Sequence, residues 1–305
     1  MDHFQRLGLL AFLIMMGAFF SVMSPYFLTL ENLANILVQS TVLIIVGAGM
    51  TLVIATAGID LSIGSILALG GIVMAALMKA GFGVLMSTGL GLLSGALMGL
   101  LNGLGVAKLR ISPFIVTLGA AGIYRALGLI FTDARPIYGL PMEFRALATG
   151  SLGPLPFSVA LAFAIAILTY LVMAWTPFGA HVRAVGDNSE GAFRMGVPVG
   201  WVLVRVYVIS GVAAALAGTV VTARLNTAEA IAGLGMELEA IAAVVMGGTS
   251  FFGGEASISG TLLGALLIGT LANGLTIINV PSYYQQLVIG IVFVAAVMAD
   301  RMRRR

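Results

Sequence analysis

The feature that most constrains this fold is a succession of apolar runs of about 20 residues, separated by short polar stretches, along nearly the whole chain. A helix needs roughly 20 predominantly apolar residues to cross the hydrocarbon core of a bilayer. Ten candidate spans meet this description, at 7–23, 33–57, 61–78, 83–106, 113–131, 157–175, 201–222, 238–252, 258–278 and 283–299. The sequence therefore predicts an all-α, polytopic membrane bundle of about ten transmembrane helices, with residues 1–305 forming a single domain.

The eighth candidate span is the weakest of the ten. Its stretch M-E-L-E-A-I-A-A-V-V-M-G-G-T-S-F-F-G-G (236–254) contains two Gly pairs and few uninterrupted apolar residues. Non-helical backbone is tolerated at membrane depth only where it is packed inside protein or lines a cavity. We therefore expect a broken or short helix here.

The distribution of Lys and Arg predicts the orientation of the chain. A cytoplasmic N-terminus places nine of the fifteen basic residues inside, namely Arg6, Lys108, Arg110, Arg183, Arg194, Arg301, Arg303, Arg304 and Arg305. Four would lie outside, namely Lys79, Arg135, Arg145 and Arg224. Since short cytoplasmic loops carry the excess of basic residues, both termini are predicted to be cytoplasmic, which requires an even number of crossings. Two long loops remain, 132–156 outside and 176–200 inside.

Composition excludes most enzymatic and soluble functions. Only 9% of residues are charged, too few to cover a soluble globule, and the absence of cysteine excludes disulfides and thiolate metal sites. Neither lysine follows a glycine, so no Walker A loop is present, and the two histidines form no zinc motif. We expect no catalytic residue, no metal site and no cofactor site in this chain, and no nucleic-acid partner.

Small residues recur every fourth position in the fourth span. The stripe predicts a face on which another helix backbone approaches closely. Its members are Ser87, Gly91, Gly95, Gly99 and Gly103. A resemblance between S-I-G-S-I-L-A-L-G-G (62–71) and S-I-S-G-T-L-L-G-A-L (257–266) suggests an internal duplication.

Ionisable groups inside a membrane are functional candidates by default, and the ones singled out in or beside the predicted spans are Asp60, Arg125 and Arg205. Asp60, in G-I-D-L-S-I-G-S (58–65), suits an N-cap at the inner end of a hairpin between spans two and three, or a contact with a pathway or gate. Arg125 suits either a structural bond to a carbonyl or loop acid, or a position at a pathway mouth. Arg205 can extend to the inner surface.

The inner loop mixes charged and apolar residues between Pro177 and Pro198, in T-P-F-G-A-H-V-R-A-V-G-D-N-S-E-G-A-F-R-M-G-V-P-V. This composition predicts short helices with one apolar and one charged side, which either lie on the membrane surface or dock into a groove of a partner. The loop is longer than a passive connection between bundled helices requires.

Four stretches together resemble the permease subunits of ATP-binding-cassette importers for ribose and related monosaccharides. They are M-T-L-V-I-A-T-A-G-I-D-L-S-I-G-S (50–65), A-V-G-D-N-S-E-G-A-F-R-M-G-V (184–197), residues 236–254 as quoted above, and S-Y-Y-Q (282–285). The resemblance covers nearly the whole chain. It implies a permease dimer, formed with a second copy or a close paralogue, in the bacterial inner membrane. It also implies cytoplasmic ATPase partners, which bind ATP and magnesium, and a periplasmic or lipid-anchored sugar-binding protein outside.

The same resemblance implies that residues 178–198 form a coupling segment against the ATPase. The implied coupling residues are Gly186, Asp187, Asn188, Glu190, Ala192, Arg194 and Gly196. Of these, Gly186 and Gly196 are expected to permit tight turns and Ala192 a close approach. Asp187, Met195 and Val197 depart from the family pattern. Candidate pathway or gate residues are Asp60, Ser62, Asn102, Thr249, Ser250, Phe251, Phe252 and Asn273. Because they offer hydroxyls and amides, a neutral monosaccharide or polyol is the expected solute, although buried Ser, Thr and Asn also bond their own or neighbouring helices.

The alternative function is an ion-coupled secondary carrier of small polar solutes that uses Asp60. The two readings differ in energy source, because only the importer requires ATP and an ATPase partner.

Overall fold

The computed structural model describes residues 3–153 and 155–303, and within these ranges the chain forms thirteen helices and four two-residue strands. The helices are α1 (His3–Met23), α2 (Leu30–Ala55), α3 (Ile63–Lys79), α4 (Val84–Ala107), α5 (Pro113–Thr132), α6 (Met142–Thr149), α7 (Phe157–Trp175), α8 (Pro177–Asp187), α9 (Ser189–Arg194), α10 (Val199–Leu225), α11 (Met236–Met246), α12 (Ile258–Ile277) and α13 (Ser282–Arg303). The strands are β1 (Ile137–Tyr138), β2 (Ser151–Leu152), β3 (Leu155–Pro156) and β4 (Thr227–Ala228). Pro154 and the last two arginines of the predicted inner tail, 304 and 305, lie outside the described residues.

The structure confirms an all-α membrane bundle. Six helices are long and apolar enough to cross a membrane, namely α2, α4, α5, α7, α10 and α12. Three shorter apolar stretches, Leu7–Met23, Ile63–Lys79 and Ser282–Met298, match the first, third and tenth predicted spans. The chain is therefore a multi-pass membrane protein.

The eighth predicted span is indeed a short helix, although its predicted end was wrong. Helix α11 stops at Met246 instead of residue 252, and an irregular segment continues to Ser257. The cause is the first Gly pair. A Cβ at Gly247 would collide with the backbone of Gly260 on α12, and Gly248 has a φ of +86°, which favours glycine. The chain therefore leaves the helix where it meets α12.

Helix α2 is the central helix of the molecule. In its most apolar 18-residue window 83% of the residues are buried, against 22% in the corresponding window of α5. An apolar helix in a bilayer can be surrounded by lipid or by protein. Helix α2 is buried because it packs against α7, α10, α11 and α12.

The small-residue stripe on α4 packs against α10, as the sequence predicts. A Cβ at Gly95 or Gly99 would collide with a main-chain carbonyl of α10, from Gly211 and Tyr207 respectively. A Cβ at Gly103 would lie 2.8 Å from the Val204 Cα. The backbones of α4 and α10 are thus in direct contact.

The packing pattern repeats between two halves of the chain, α2–α5 and α10–α13. Helix α3 contacts α4 and α5, just as α11 contacts α12 and α13; α10 packs on α3 and α4, just as α2 packs on α11 and α12. Since α2 and α10 are the second and seventh predicted spans, the predicted crossings give the two halves opposite orientations. The sequence resemblance of 62–71 to 257–266 is not this repeat, because it pairs α3 with α12 instead of α11.

The two long loops are structured. The outer one contains α6 and pairs β1 with β4 antiparallel, through Ile137 opposite Ala228. The Leu140 N–H donates to Asn226 Oδ1 at 3.1 Å, and Lys79 Nζ donates to the Gly139 carbonyl at 2.8 Å. The inner loop consists of α8 and α9. Each long loop is therefore attached to the bundle by its own secondary structure.

Candidate functional site: the inner two-helix segment and a buried polar network

The sequence of the predicted coupling segment explains its break into two helices. Pro177 begins α8, where a missing N–H costs nothing. Asn188 ends α8 and caps α9, because its Oδ1 accepts the Gly191 N–H at 2.8 Å. Gly196, with a φ of +84°, turns the chain toward α10.

One face of α8 is anchored to the bundle. Val182 and Val185 are buried, and Arg183 donates to the Met173 carbonyl of α7 at 2.8 Å. The Gly254 N–H donates to the Ala55 carbonyl at 3.0 Å, and a Cβ at Gly186 would collide with that carbonyl and lie 2.6 Å from Gly254 N. Gly186 is helical, so the prediction that it provides a tight turn was wrong; it permits a close approach to the end of α2.

The opposite face of the segment is exposed. Phe193 is 70% exposed and Met195 is 85% exposed, while Ala192 is buried beneath them. Glu190 and Arg194 form an exposed ion pair one turn apart on α9. Asp187 and Asn188 are also exposed. The apolar side of this face has no covering element among the described residues.

An inner cavity of 970 Å³ opens beside the segment. Its lining includes Thr56–Gly58 after α2, Arg110 and Ser112 between α4 and α5, and Asp187 and Glu190. The coupling segment therefore borders both a cavity and the turn that follows α2.

That turn contains Asp60, which is fully buried in a chain of side-chain hydrogen bonds. Asp60 Oδ1 accepts from Ser62 N at 3.0 Å and from Ser62 Oγ at 2.6 Å, and Oδ2 accepts from Ser210 Oγ at 2.8 Å. Asn102 Nδ2 donates to Ser62 Oγ at 2.7 Å. Tyr124 OH lies 3.2 Å from Asn102 Oδ1. The network joins the 56–62 turn to α4, α5 and α10.

The carbonyl of Ile59 is held as well. Thr117 Oγ1 on α5 and Tyr207 OH on α10 donate to it at 3.2 and 3.3 Å. The turn thus has both its carboxylate and its backbone bonded to surrounding helices. We call residues 56–62 the inner re-entrant loop.

The prediction that Asp60 caps α3 was wrong, while its role in a turn is confirmed. The N-cap of α3 is Ser62, and Asp60 instead accepts the N–H of the residue two positions ahead. The loop is held between the inner ends of α4 and α5 and the first half of α10: Asn102 lies five residues before the end of α4, Thr117 four residues after the start of α5, and Ser210 eleven residues after the start of α10. Its position at the inner end of a hairpin stays a prediction.

The predicted pathway residues fall into three separate places. Asp60, Ser62 and Asn102 meet in the network. Thr249, Ser250, Phe251 and Phe252 lie in the irregular segment after α11, where Thr249 Oγ1 accepts the Ser257 N–H at 3.0 Å. Asn273 is buried near the other end of α12, beside Gly274, whose position contacts Phe20 of α1. They do not form one site.

Arg125 adopts the structural alternative. Its Nη1 donates to the carbonyls of Ala230 and, at 2.7 Å, Ala232. Both carbonyls belong to residues 226–235, which we call the outer re-entrant loop. This loop descends far enough that a Cβ at Gly64, on α3, would collide with the Gly233 carbonyl. The outer re-entrant loop therefore meets the first turn of α3, directly after the inner re-entrant loop.

Sequence reasoning missed several polar residues of this region. Ser210 and Tyr207 lie one turn apart on α10, and that spacing of polar groups in an apolar span was the available signal. Glu237 and Glu239 stand in the first turn of α11, where the predicted span boundary made them look peripheral. Within the described residues no group of three or more His, Asp or Glu is placed to hold a metal ion.

Comparison with known proteins gives a consistent result. The family described as branched-chain amino acid transport system / permease component matches residues 32–297. The chain is 42% identical over 304 residues to the ribose import permease protein of Bacillus subtilis, covering 98% of this chain and 94% of that one. It is 40% identical over 302 residues to the D-allose transport system permease protein of Escherichia coli, covering 98% and 92%.

A more distant relative has a different named solute. The autoinducer 2 import system permease protein of Photorhabdus laumondii is 34% identical over 297 residues, covering 96% of this chain and 88% of that one. No solved structure matches the chain.

Proposed function

The chain belongs to the permease-component family of the branched-chain amino acid transport system, in the ribose-type group of ATP-binding-cassette sugar permeases, and we propose that it passes a monosaccharide or related polyol inward by alternating access. It is a transport subunit. The energy comes from separate ATPase subunits, which bind ATP and magnesium, and a soluble sugar-binding protein delivers the solute. Two permease chains, identical or paralogous, form the channel unit in the bacterial inner membrane.

The observation that carries this proposal is the two-sided construction of the coupling segment. One face of α8 is fixed to the end of α2 through the Gly186–Ala55 approach, while Phe193 and Met195 stand exposed on the other side. A partner that packs on the exposed face moves the segment as a unit. Because Ala55 leads directly into the inner re-entrant loop, that movement reaches Asp60 within five residues of chain.

The solute class is supported by the names of the relatives and by the chemistry of the bundle. Apart from Asp60, the buried polar side chains of the described residues are hydroxyls and amides, a composition that suits a neutral polyhydroxylated solute better than an ion. Cytoplasmic termini follow from the excess of basic residues predicted inside.

Uptake by reconstituted protein tests the proposal. Proteoliposomes that contain this chain, the ATPase and the binding protein encoded beside it should accumulate D-ribose or D-allose only with internal ATP. Uptake by this chain alone, driven by a proton or sodium gradient, would establish the ion-coupled carrier instead. Asp60→Asn should then abolish the ion dependence, whereas in the importer it leaves the requirement for ATP unchanged.

Crosslinking tests the coupling segment separately. The chain has no cysteine, so Ser189→Cys or Glu190→Cys introduces a single thiol. Each should crosslink to the ATPase in the complex. Leu152→Cys, in the outer hairpin, is the matched control and should not. Free labelling of both inner thiols, unchanged by the ATPase, would mean that the segment lies on the membrane surface.

A further inference from the structure

A second cavity lies on the outer side of the molecule. It is an open cavity with a volume of 310 Å³. The outer half of α2, the end of α10 and the outer re-entrant loop line it. Gln39, Val42, Arg224, Glu229, Ile231 and Gly233 line it. The volume stands at the lower end of the range for small-molecule sites, about 300–1,000 Å³, which suits a ligand of monosaccharide size.

The polar side chains of this cavity are available to a ligand. Throughout residues 3–153 and 155–303, no hydrogen bond or ion pair engages the side chains of Gln39, Arg224 or Glu229. An amide, a guanidinium and a carboxylate supply both donors and acceptors, and their two charges cancel. Val42, Ile231 and Met236 add apolar surface. A few convergent polar groups on partly apolar walls are typical of a small-molecule site.

The position of the cavity relates it to the proposed transport path. Gly233 lines the cavity, and its backbone meets Gly64 at the start of α3. The inner cavity of 970 Å³ is lined by Thr56–Gly58 of the inner re-entrant loop and by the start of α10. The internal repeat exchanges α2 with α10, and each cavity is lined by the loop that follows one of these helices and by residues in the first half of the other.

We propose that the outer cavity is a binding site for a neutral, polyhydroxylated solute, with Gln39, Arg224 and Glu229 as its hydrogen-bonding groups. This inference rests on the proposed function, because that function supplies the solute class. The solute occupies the site on the outer side of the Gly64–Gly233 contact before that contact opens. A zwitterion such as leucine could also pair with Arg224 and Glu229, and its binding would contradict the proposal.

Protection of single thiols tests it directly. Glu229→Cys and Gln39→Cys, each introduced into the cysteine-free full chain in proteoliposomes, are labelled from outside with a membrane-impermeant maleimide. D-ribose, D-allose and L-leucine are titrated separately. Leu152→Cys, exposed and outside the cavity, is the control.

We expect D-ribose or D-allose to slow the labelling of both cavity thiols in a saturable manner, to about one tenth at ten times the dissociation constant. Labelling of the control should be unchanged. Protection by leucine alone, or by none of the three, overturns the inference. The assay uses neither ATP nor the ATPase. Unprotected thiols in a chain whose wild-type complex imports sugar therefore refute the site only, whereas protected thiols without ATP-driven uptake refute the importer.

Discussion

The inner and outer re-entrant loops occupy equivalent places in the two halves of the molecule, yet they are held in different ways. The inner loop is held in the core, where Asp60 and Ser62 are bonded to residues of α4 and α10 and are both fully buried. The outer loop is held by Arg125 on two carbonyls, by the short β1–β4 pair, and by the side chains of Asn226 and Thr227, which bond to the backbone of Leu140 and Ile137. In addition, Ile231 and Leu234 are 62% and 74% exposed.

This difference indicates which loop yields first. A segment with few buried contacts opens at a lower free-energy cost than one embedded in the core. The outer loop can therefore rearrange while the inner loop keeps its bonds. The inner loop moves only when something displaces the end of α2, and the coupling segment is the element attached there.

The largest expected effect comes from removing the carboxylate of the inner loop. Asp60→Ala leaves the Ser62 N–H and the hydroxyls of Ser62 and Ser210 without their acceptor, at a cost of about 4 kcal/mol in the free energy of unfolding. Thermal unfolding in detergent should show a much lower midpoint. Asp60→Asn keeps the shape and one acceptor oxygen, so it should cost clearly less. Equal midpoints for the two variants would mean that the hydrogen bonds contribute little.

The contact between the start of α3 and the outer re-entrant loop should be the next most sensitive point. Gly64→Ala places a Cβ against the Gly233 carbonyl, and we expect a loss of about 2–3 kcal/mol in the free energy of unfolding together with slower uptake. Gly89→Ala on α4, where a Cβ has open space, is the control and should be neutral or slightly stabilising. If Gly64→Ala behaves like Gly89→Ala, α3 and the outer re-entrant loop do not meet as described.

Removing the Arg125 bonds to the outer re-entrant loop should lower the free energy of unfolding by less than the changes above. It should have a larger effect on how readily the loop is reached by a labelling reagent. Arg125→Gln shortens the side chain that binds Ala230 and Ala232, at a cost of about 1–2 kcal/mol. An Ile231→Cys thiol should then react faster with a maleimide than in the background with Arg125. An unchanged labelling rate would show that the β1–β4 pair alone holds this loop.

The smallest effect is expected at the backbone of the inner loop. Tyr207→Phe removes the hydroxyl that donates to the Ile59 carbonyl at 3.3 Å. Thr117 Oγ1 lies 3.2 Å from the same carbonyl, but its single proton also has the Pro113 carbonyl at 2.8 Å as an acceptor. We expect a loss of about 0.5–1.5 kcal/mol for Tyr207→Phe, measured as a small shift of the unfolding midpoint. With Thr117→Val added, the Ile59 carbonyl has neither hydroxyl, so the loss should increase. No further loss would mean that the Thr117 proton goes to Pro113 alone.

Hydropathy predicts the number and order of the main helices because each must meet the same length requirement in the bilayer. The packing face on α4 could also be predicted, because a four-residue spacing places Gly95, Gly99 and Gly103 on one side of the helix regardless of which helix packs there. The sequence did not predict how Asp60 is held inside the bundle. That depends on Ser210, 150 residues away, and no local pattern links the two.

The role of a glycine is likewise not fixed by the local sequence alone. The sequence predicts a tight turn at Gly186, and only the position of the Ala55 carbonyl shows that this glycine permits a close approach instead. The outer cavity was missed for a related reason. Gln39, Arg224 and Glu229 come from three elements that meet only after the two halves of the bundle have packed.

The backbone contact between α4 and α10 has a mechanical consequence. Helices that touch through glycine cannot slide past each other without main-chain collisions, since no flexible side chain separates Gly99 from the Tyr207 carbonyl. Helices α4 and α10 are therefore expected to stay fixed relative to each other. Movement that carries a solute across is then a rotation or bending of the remaining helices around this pair.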